Sequence, residues 1–265
     1  MTASSIQTAP VVLVEHGDNG ITRITFNRPN QRNAMNRAAR VGIVQALDEC
    51  HGRSKVVILT GNGPAFCAGV DLKEGPVSTG DPDLDKRTEW AAVQEAIRHH
   101  PAIVISAVNG FALGGGSTLI NVSDLAIAAN EAGIGMPEIG FGLYPTLAGP
   151  AAQLRLSPKR AAWLVLTAER IDGSTAADWG LVNRSVPLAQ LDQVVTAMAE
   201  RIAGFDATAL ALSKQALWKI PGEISEWTSA IAYGVDVYAQ IRARGTTLDE
   251  GMNRFLDGQR NPGQG

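Results

Sequence analysis

Three short apolar runs set what this chain of 265 residues can fold into. Val56-Val57-Ile58-Leu59-Thr60, Ile103–Val108 and residues 124–129 are each of strand length and show little polar alternation. A strand that is apolar on both faces has to be covered on both, as in the parallel sheet of an α/β core. The intervening stretches meet that demand. Residues 35–50 place Val41, Val44 and Leu47 at helical spacing, and a second helix through Trp90, Val93 and Ile97 stops before Pro101. Strands alternating with helices predict an α/β fold with largely parallel strands.

Upstream, residues 11–14 and Ile21–Phe26 flank Gly17-Asp18-Asn19-Gly20, a hairpin signal that Asn27-Arg28-Pro29-Asn30 ends. Residues 75–83 form a loop rich in Gly, Pro and Asp. From about Ser157 onward the pattern turns helical: Pro158–Thr167, 174–179, Leu188–Ala203, 207–220 and 225–256, the last broken near Gly245. Helices that follow a finished sheet bury their apolar faces on the core or on another subunit. No internal repeat and no linker long enough to separate two domains is present.

Composition narrows the function. With 23 basic against 26 acidic residues the formal net charge is −3, which gives no electrostatic footprint for nucleic acid or an anionic membrane. No apolar run approaches the ~20 residues of a membrane span. Residues 1–10 are polar and lack the basic-then-apolar order of a secretory signal. Cys50 and Cys67 form no CxxC pair, so neither a disulfide framework nor a Cys-based zinc site is expected, and a reducing cytoplasm is the expected location. There is no GxSxG elbow and no HExxH, and His16, His51, His99 and His100 fall at expected surface or helix-end positions.

Three glycine-rich segments remain. Asn109-Gly110-Phe111-Ala112-Leu113-Gly114-Gly115-Gly116-Ser117-Thr118 lies between a buried strand and a helix expected to begin at Ser117. A run of three glycines suits close approach of backbone N–H groups to a ligand at a helix N-terminus, and suits a tight turn equally well. Gly61-Asn62-Gly63 follows a strand, but the third glycine of a dinucleotide fingerprint would fall on Phe66 and Pro64 removes a donor, so it is not one. In Gly133-Ile134-Gly135-Met136-Pro137-Glu138-Ile139-Gly140, Glu138 is the only acid between Glu131 and Glu169. A carboxylate in such an apolar setting is desolvated, which raises its pKa toward values useful for proton transfer, although a structural carboxylate fits the same local pattern.

Taken together, these segments resemble the crotonase family, the enoyl-CoA hydratase/isomerase superfamily. The resemblance runs through Ile24-Thr25-Phe26-Asn27-Arg28-Pro29, Arg32-Asn33-Ala34-Met35, Ala65-Phe66-Cys67-Ala68-Gly69-Val70-Asp71-Leu72, the triple glycine, Pro137-Glu138-Ile139-Gly140, Ala176-Ala177-Asp178-Trp179-Gly180 and Glu250-Gly251-Met252-Asn253-Arg254-Phe255. It implies a spiral of ββα units, here residues 1–200, followed by C-terminal helices, 201–265, that make trimers or dimers of trimers and close the site. It implies a coenzyme A thioester as substrate, and no metal or redox cofactor. The family's two oxyanion-hole donors fall on the backbone N–H groups of Val70 and Gly115. Gly114, Ala68, Asp71 and Leu72 fall in the substrate and adenine-contacting segments, Arg28 or Arg32 is the candidate for the CoA phosphates, and Phe255 would face a neighbour's CoA.

The resemblance departs from the two-glutamate hydratases at one position. Where they carry the first glutamate this chain has Thr118, whose hydroxyl can orient a water but cannot accept a proton near neutral pH. The resemblance then leaves Glu138 as the expected acid/base. Single-glutamate branches include Δ3,Δ2-enoyl-CoA isomerases and hydroxycinnamoyl-CoA hydratase-lyases, and Gly180-Leu181-Val182-Asn183-Arg184-Ser185-Val186-Pro187 is similar to the latter. In that branch Tyr233 or Tyr238 would meet a substrate hydroxyl. Tyr144 stands where the dehalogenase branch would carry a nucleophilic Asp. The leading expectation is an enoyl-CoA hydratase or lyase. The alternatives are an enoyl-CoA isomerase and a non-catalytic CoA-binding protein.

Overall fold

The computed structural model describes residues 9–74, 86–245 and 248–259. The hairpin forms as expected: β1 (Val12–His16) pairs antiparallel with β2 (Ile21–Phe26), Val12 opposite Phe26. Strand β2 alternates half-buried and buried residues, so one face meets the core. Asn36 caps α1 (Arg37–Cys50), its side chain accepting from the Ala39 N–H at 3.0 Å, and Ala39, Ile43, Ala46, Leu47 and Cys50 form the buried face.

A repeated step then builds two sheets. Strand β3 (Val56–Gly61) enters the first sheet and β4 (Ala65–Cys67) the second, before α2 (Lys86–His99). Strands β5 (Ile103–Val108) and β6 (Phe111–Leu113) repeat the step before α3 (Gly115–Val122). Strands β7 (Leu125–Ala129) and β8 (Gly133–Gly135) repeat it again. After α4 (Ala148–Arg155) and α5 (Pro158–Thr167), β9 (Ile171–Asp172) closes the small sheet antiparallel to β8. Helix α6 (Gly173–Trp179) leads to β10 (Arg184–Val186), which completes the large sheet in the order β1-β2-β3-β5-β7-β10. Every pairing in the large sheet beyond the hairpin is parallel. This is the spiral of ββα units.

Parallel strands need helical crossovers, and those cover the faces the apolar runs demand. Val56, Val57 and Leu59 are fully buried, each such side chain contributing about 1.5–3 kcal/mol. Helix α7 (Leu188–Ala203) packs across β2, β3, β5 and β7. Phe26 of β2 meets Phe66 of β4 edge-on with ring centroids 5.4 Å apart, joining the two sheets. Helices α8 (Ala207–Glu223), α9 (Trp227–Arg244) and α10 (Leu248–Leu256) follow, with the expected break at Gly245. Among the described residues no helix is long and apolar enough to cross a membrane.

Some expectations needed correction. The four short strands of the second sheet, β4, β6, β8 and β9, fall where the sequence pattern predicts no strand, as does β10, and α4 falls where it predicts no helix. Helix α3 starts at Gly115 rather than Ser117. His100 is not a solvated helix end: it is 2% exposed, with Nε2 3.0 Å from the Leu47 carbonyl, and burial pushes its pKa down to about 4. His99 beside it is exposed. The loop expected over 75–83 lies outside the described residues.

Two buried cations fix the helices that frame the site. Arg40 on α1 is 2% exposed and donates to the Met35 carbonyl at 2.9 Å, to Glu74 at 3.1 Å and to Glu89 of α2 at 2.7 Å. It ties α1, the start of α2 and the segment after Val70 into one unit. Lys214 on α8 is 3% exposed, pairs with Asp124 at 2.8 Å and donates to the carbonyls of Ile97 and Ala102, both at 3.0 Å. Unpaired, either charge would be costly in so dry a setting.

Candidate active site

The site assembles where β4 and β6 leave the small sheet. Beyond β4, Val70 forms an isolated parallel bridge with Met35, made by Met35 N–H on the Gly69 carbonyl at 2.8 Å and Asp71 N–H on the Met35 carbonyl at 3.2 Å. That pattern turns the N–H of Val70 to the opposite side, away from Met35. Gly69 has φ +89°, and a Cβ there would lie 2.7 Å from the Leu113 carbonyl oxygen and 3.2 Å from the backbone nitrogen of Gly115. The peptide that carries Val70 N–H is therefore packed beside the first N–H of α3. That N–H has no intrahelical acceptor, and the dipole of α3 adds partial positive charge at the same place. Two unpaired backbone donors side by side are the kind of pair that can hold a developing oxyanion.

Each glycine of the triple has its own reason. Gly114 adopts φ +51° and ψ −113°, and a Cβ there would sit 2.5 Å from Oε1 of Glu138. A Cβ at Gly115 would meet the Trp90 indole at 2.8 Å, and one at Gly116 would overlap the Cys67 carbonyl. The segment is thus a place of close approach, not merely a turn.

Glu138 stands in the 3-10 turn Pro137–Phe141, with Pro137 fixing the first φ. Its carboxylate is half-buried over Gly114, and Oε2 has no hydrogen-bond partner among the described residues. Desolvation raises its pKa above the ordinary value, only partly offset by its own backbone N–H. Thr118 is fully buried one turn into α3, and its hydroxyl donates to the Gly114 carbonyl at 3.4 Å. Gly114 therefore joins the carboxylate to the threonine.

The remaining candidates divide. Arg28 pairs with Asp71 at 2.9 Å, both largely buried, and also donates to the Ala34 carbonyl. Burial would raise the Asp71 carboxyl, but hydrogen bonds from Arg28 and the Lys73 N–H, with their charges, hold it below its usual value. These two residues spend their charges on each other. Arg32 is exposed, its guanidinium 5.7 Å from the Phe111 ring centroid, with no ion-pair partner among the described residues. Ala68 is half-buried, and Leu72 is 79% exposed on the rim beyond Val70. Phe255 falls in α10, but its side chain lies outside the described residues. Tyr233 and Tyr238 contact Lys219 and Arg242 of the C-terminal helices rather than Glu138.

Trp90 was read from the sequence only as a core residue of a helix. It is 1% exposed, its indole packs on Gly115, and its Nε1–H has no partner among the described residues. A tryptophan at helical core spacing gives no hint of this. Its place follows from the missing side chain at Gly115.

A family model described as enoyl-CoA hydratase/isomerase matches residues 16–261. The chain is 31% identical over 248 residues to a hydroxycinnamoyl-CoA hydratase-lyase of Pseudomonas fluorescens, covering 91% of this chain and 90% of that one. It superimposes on the crystal structure of an enoyl-CoA hydratase from Mycobacterium smegmatis with a TM-score of 0.87 at 28% identity, over 96% of this chain and 98% of that one. A monofunctional enoyl-CoA isomerase from M. smegmatis gives a TM-score of 0.72 at 28% identity, over 84% of this chain and 99% of that one.

Proposed function

We propose that this chain, which belongs to the enoyl-CoA hydratase/isomerase family, is an acyl-CoA lyase that hydrates an α,β-unsaturated thioester through an enolate. The observation that carries the reading is one desolvated carboxylate, Glu138, seated over the glycine that precedes the Gly115 N–H. Water adds to C3 while Glu138 takes its proton, and the C2=C3 electron pair moves onto the thioester oxygen. The N–H groups of Val70 and Gly115 hold that oxygen as an enolate, each donor lowering the barrier by about 2.7–4 kcal/mol. Glu138 then returns the proton to C2, the thioester reforms, and the product is the 3-hydroxyacyl thioester. Where C3 carries an aryl group, Glu138 can next take the proton of the new 3-hydroxyl. The C2–C3 bond then breaks, an aryl aldehyde leaves, and the two-carbon enolate held at the same N–H groups takes that proton at C2 to give the acetyl thioester. The hydratase-lyase relative supports this reading.

Isomerisation is the second reading, favoured by the state of Thr118. With that hydroxyl buried on the Gly114 carbonyl, Glu138 alone can carry one proton between the α and γ carbons without added water. Incubation with crotonyl-CoA, feruloyl-CoA and 3-hexenoyl-CoA, with mass detection of products, separates the two. Hydrated or cleaved product from either of the first two is expected. Isomerised 3-hexenoyl-CoA alone would overturn the hydratase reading.

The raised Glu138 pKa gives a pH dependence. The base is the ionised form, so kcat/KM is lost as pH falls through the folded value, and the acid limb lies above the ordinary 4.5. Above that value the ionised group is a cost to the folded state, because the unfolded chain ionises more readily. A kcat/KM that stays flat down to pH 4.5 contradicts the assignment.

The same reading takes the CoA moiety along Ala68, Asp71 and Leu72, with Arg32 the cation still open to a phosphate. It also makes the protein a trimer or dimer of trimers through residues 201–265. Trp227, Ile231, Val235 and Tyr238 of α9 are all exposed and recur at spacings of four, four and three, one apolar stripe that a second subunit would cover.

A further inference from the structure

A cavity of about 290 Å³ lies between α2, α3, α4 and α8, close to the lower bound of ~300 Å³ for ligand pockets. Val122, Leu147, Pro150 and Leu154 supply apolar wall, and Trp218 of α8 lines it together with Arg98 and Arg155. The two guanidinium groups lie 4.5 Å and 4.1 Å from the Trp218 ring centroid. They are held there by a fixed indole, because Trp218 Nε1 donates to Asp124 at 3.2 Å and Lys214, one turn earlier, anchors the helix to the same carboxylate.

The charge at this place is not balanced. Asp124 already accepts from Lys214 at 2.8 Å, from Trp218 and from the Val104 N–H at 2.8 Å. Glu95 also lines the cavity but is exposed, 3.9 Å from Arg98 and 3.1 Å from His99, so it offsets Arg98 only across solvent and leaves Arg155 unmatched. Desolvation, then the like charge of Arg98, lowers the pKa of Arg155, with Asp124 opposing. The buried Nε of Arg98 and the Oδ1 of Asn121, itself 5% exposed and lining the cavity, have no partner among the described residues. Two cations on one indole above an apolar wall, with the Arg98 Nε–H an unused donor, suit an apolar chain that ends in a carboxylate, whereas the Asn121 Oδ1 is an acceptor and takes no part.

The cavity also has a fixed relation to the active site. Along α3, Gly114, Thr118 and Val122 recur every four residues, so the stripe that meets Glu138 at its top meets the cavity at its foot. Along α2, Trp90, Gln94 and Arg98 do the same: Trp90 lies on Gly115, and Gln94 and Arg98 line the cavity. Eight residues of helix span about 12 Å. A zigzag hydrocarbon advances about 1.3 Å per carbon, so that length corresponds to about nine carbons.

We propose that this cavity receives the carboxylate end of a medium-length apolar chain, with Arg98 and Arg155 as its anion clamp. One source is the far end of the substrate itself, a dicarboxylic acyl thioester whose head is held at Val70 and Gly115; in that form the inference rests on the acyl-CoA reading above and requires the buried Thr118 and Trp90 between the two places to yield a passage. A free fatty carboxylate has the same chemistry and is the other source.

The test compares 2-octenoyl-CoA with its ω-carboxyl counterpart on the wild-type chain, alongside calorimetry with octanoate and with the saturated eight-carbon pair of thioesters. We expect kcat/KM at least tenfold higher for the ω-carboxyl substrate, and that ratio to fall at least fivefold in Arg155→Gln and in Arg98→Gln. Melting curves check that both variants fold, and the wild-type ratio needs neither of them. Octanoate binding that depends on both arginines, with no ω-carboxyl preference among the thioesters, identifies the free carboxylate as the source. Equal or better use of the methyl-ended thioester, with no octanoate binding, overturns the proposal while leaving the acyl-CoA activity standing. Should no thioester be turned over, the activity reading fails, and calorimetry decides the cavity: tighter binding of the ω-carboxyl thioester or arginine-dependent octanoate binding upholds it, and neither overturns it.

Discussion

Glu138→Gln lowers kcat/KM for acyl-CoA turnover by about two to four orders of magnitude and leaves the fold and CoA affinity nearly unchanged. The amide keeps the size of the carboxylate but cannot take or return a proton. Oε2 of Glu138 has no partner among the described residues, and the amide oxygen of Gln can keep the hydrogen bond from the residue's own N–H, so the turn is retained. The change removes a desolvated charge, so Tm should stay level or rise slightly. A drop in Tm of many degrees, or turnover within a few-fold of wild type, would place Glu138 among structural carboxylates. The local sequence leaves that reading open, and the seat over Gly114 is what weighs against it.

Gly69→Ala is the second large effect, and it tests the donors rather than the base. The new methyl must occupy a left-handed backbone, costing about 1–2 kcal/mol. It must also stand 2.7 Å from the Leu113 carbonyl and 3.2 Å from the Gly115 nitrogen, where the neighbours are backbone and cannot swing aside. Relief comes from separating the two peptides that carry the Val70 and Gly115 donors. Losing the alignment of one donor costs about 100- to 1,000-fold in kcat. The expected result is that drop in kcat with a smaller change in KM, measured on folded protein. Gly234→Ala on α9 is the control, since nothing lies within 4 Å of that position. Wild-type kcat in Gly69→Ala would remove Val70 and Gly115 from the mechanism.

The sequence carried the large sheet well because burial on both faces writes itself as an uninterrupted apolar run, as at Val56-Val57-Ile58-Leu59. It hid the small sheet because β4, β6 and β8 are three residues each, inside segments whose glycines point away from strand. Those strands exist because neighbouring backbones pair, Ala112 with Ile134 for example, which is a tertiary fact rather than a local propensity. His100 was misjudged for the same reason: Pro101 marks a helix end, but nothing local says that Leu47 and Ala102 close over it. The order of separated motifs singles out Glu138, Gly115 and Val70, and the fold brings their segments together around Gly114. Trp90 and the arginines around Trp218 were not legible in this way, since their partners lie on other helices.

The central claim is that Glu138 moves a proton at the α carbon of a thioester. Wild-type and Glu138→Gln proteins incubated with crotonyl-CoA and with 3-hexenoyl-CoA in D2O, followed by mass detection of deuterium at C2, test it without assuming which product forms. Deuterium should enter C2 of at least one substrate in the wild type and stay at the buffer rate in the variant, while both proteins bind the thioester alike. Labelling of C2 by Glu138→Gln at the wild-type rate would contradict it.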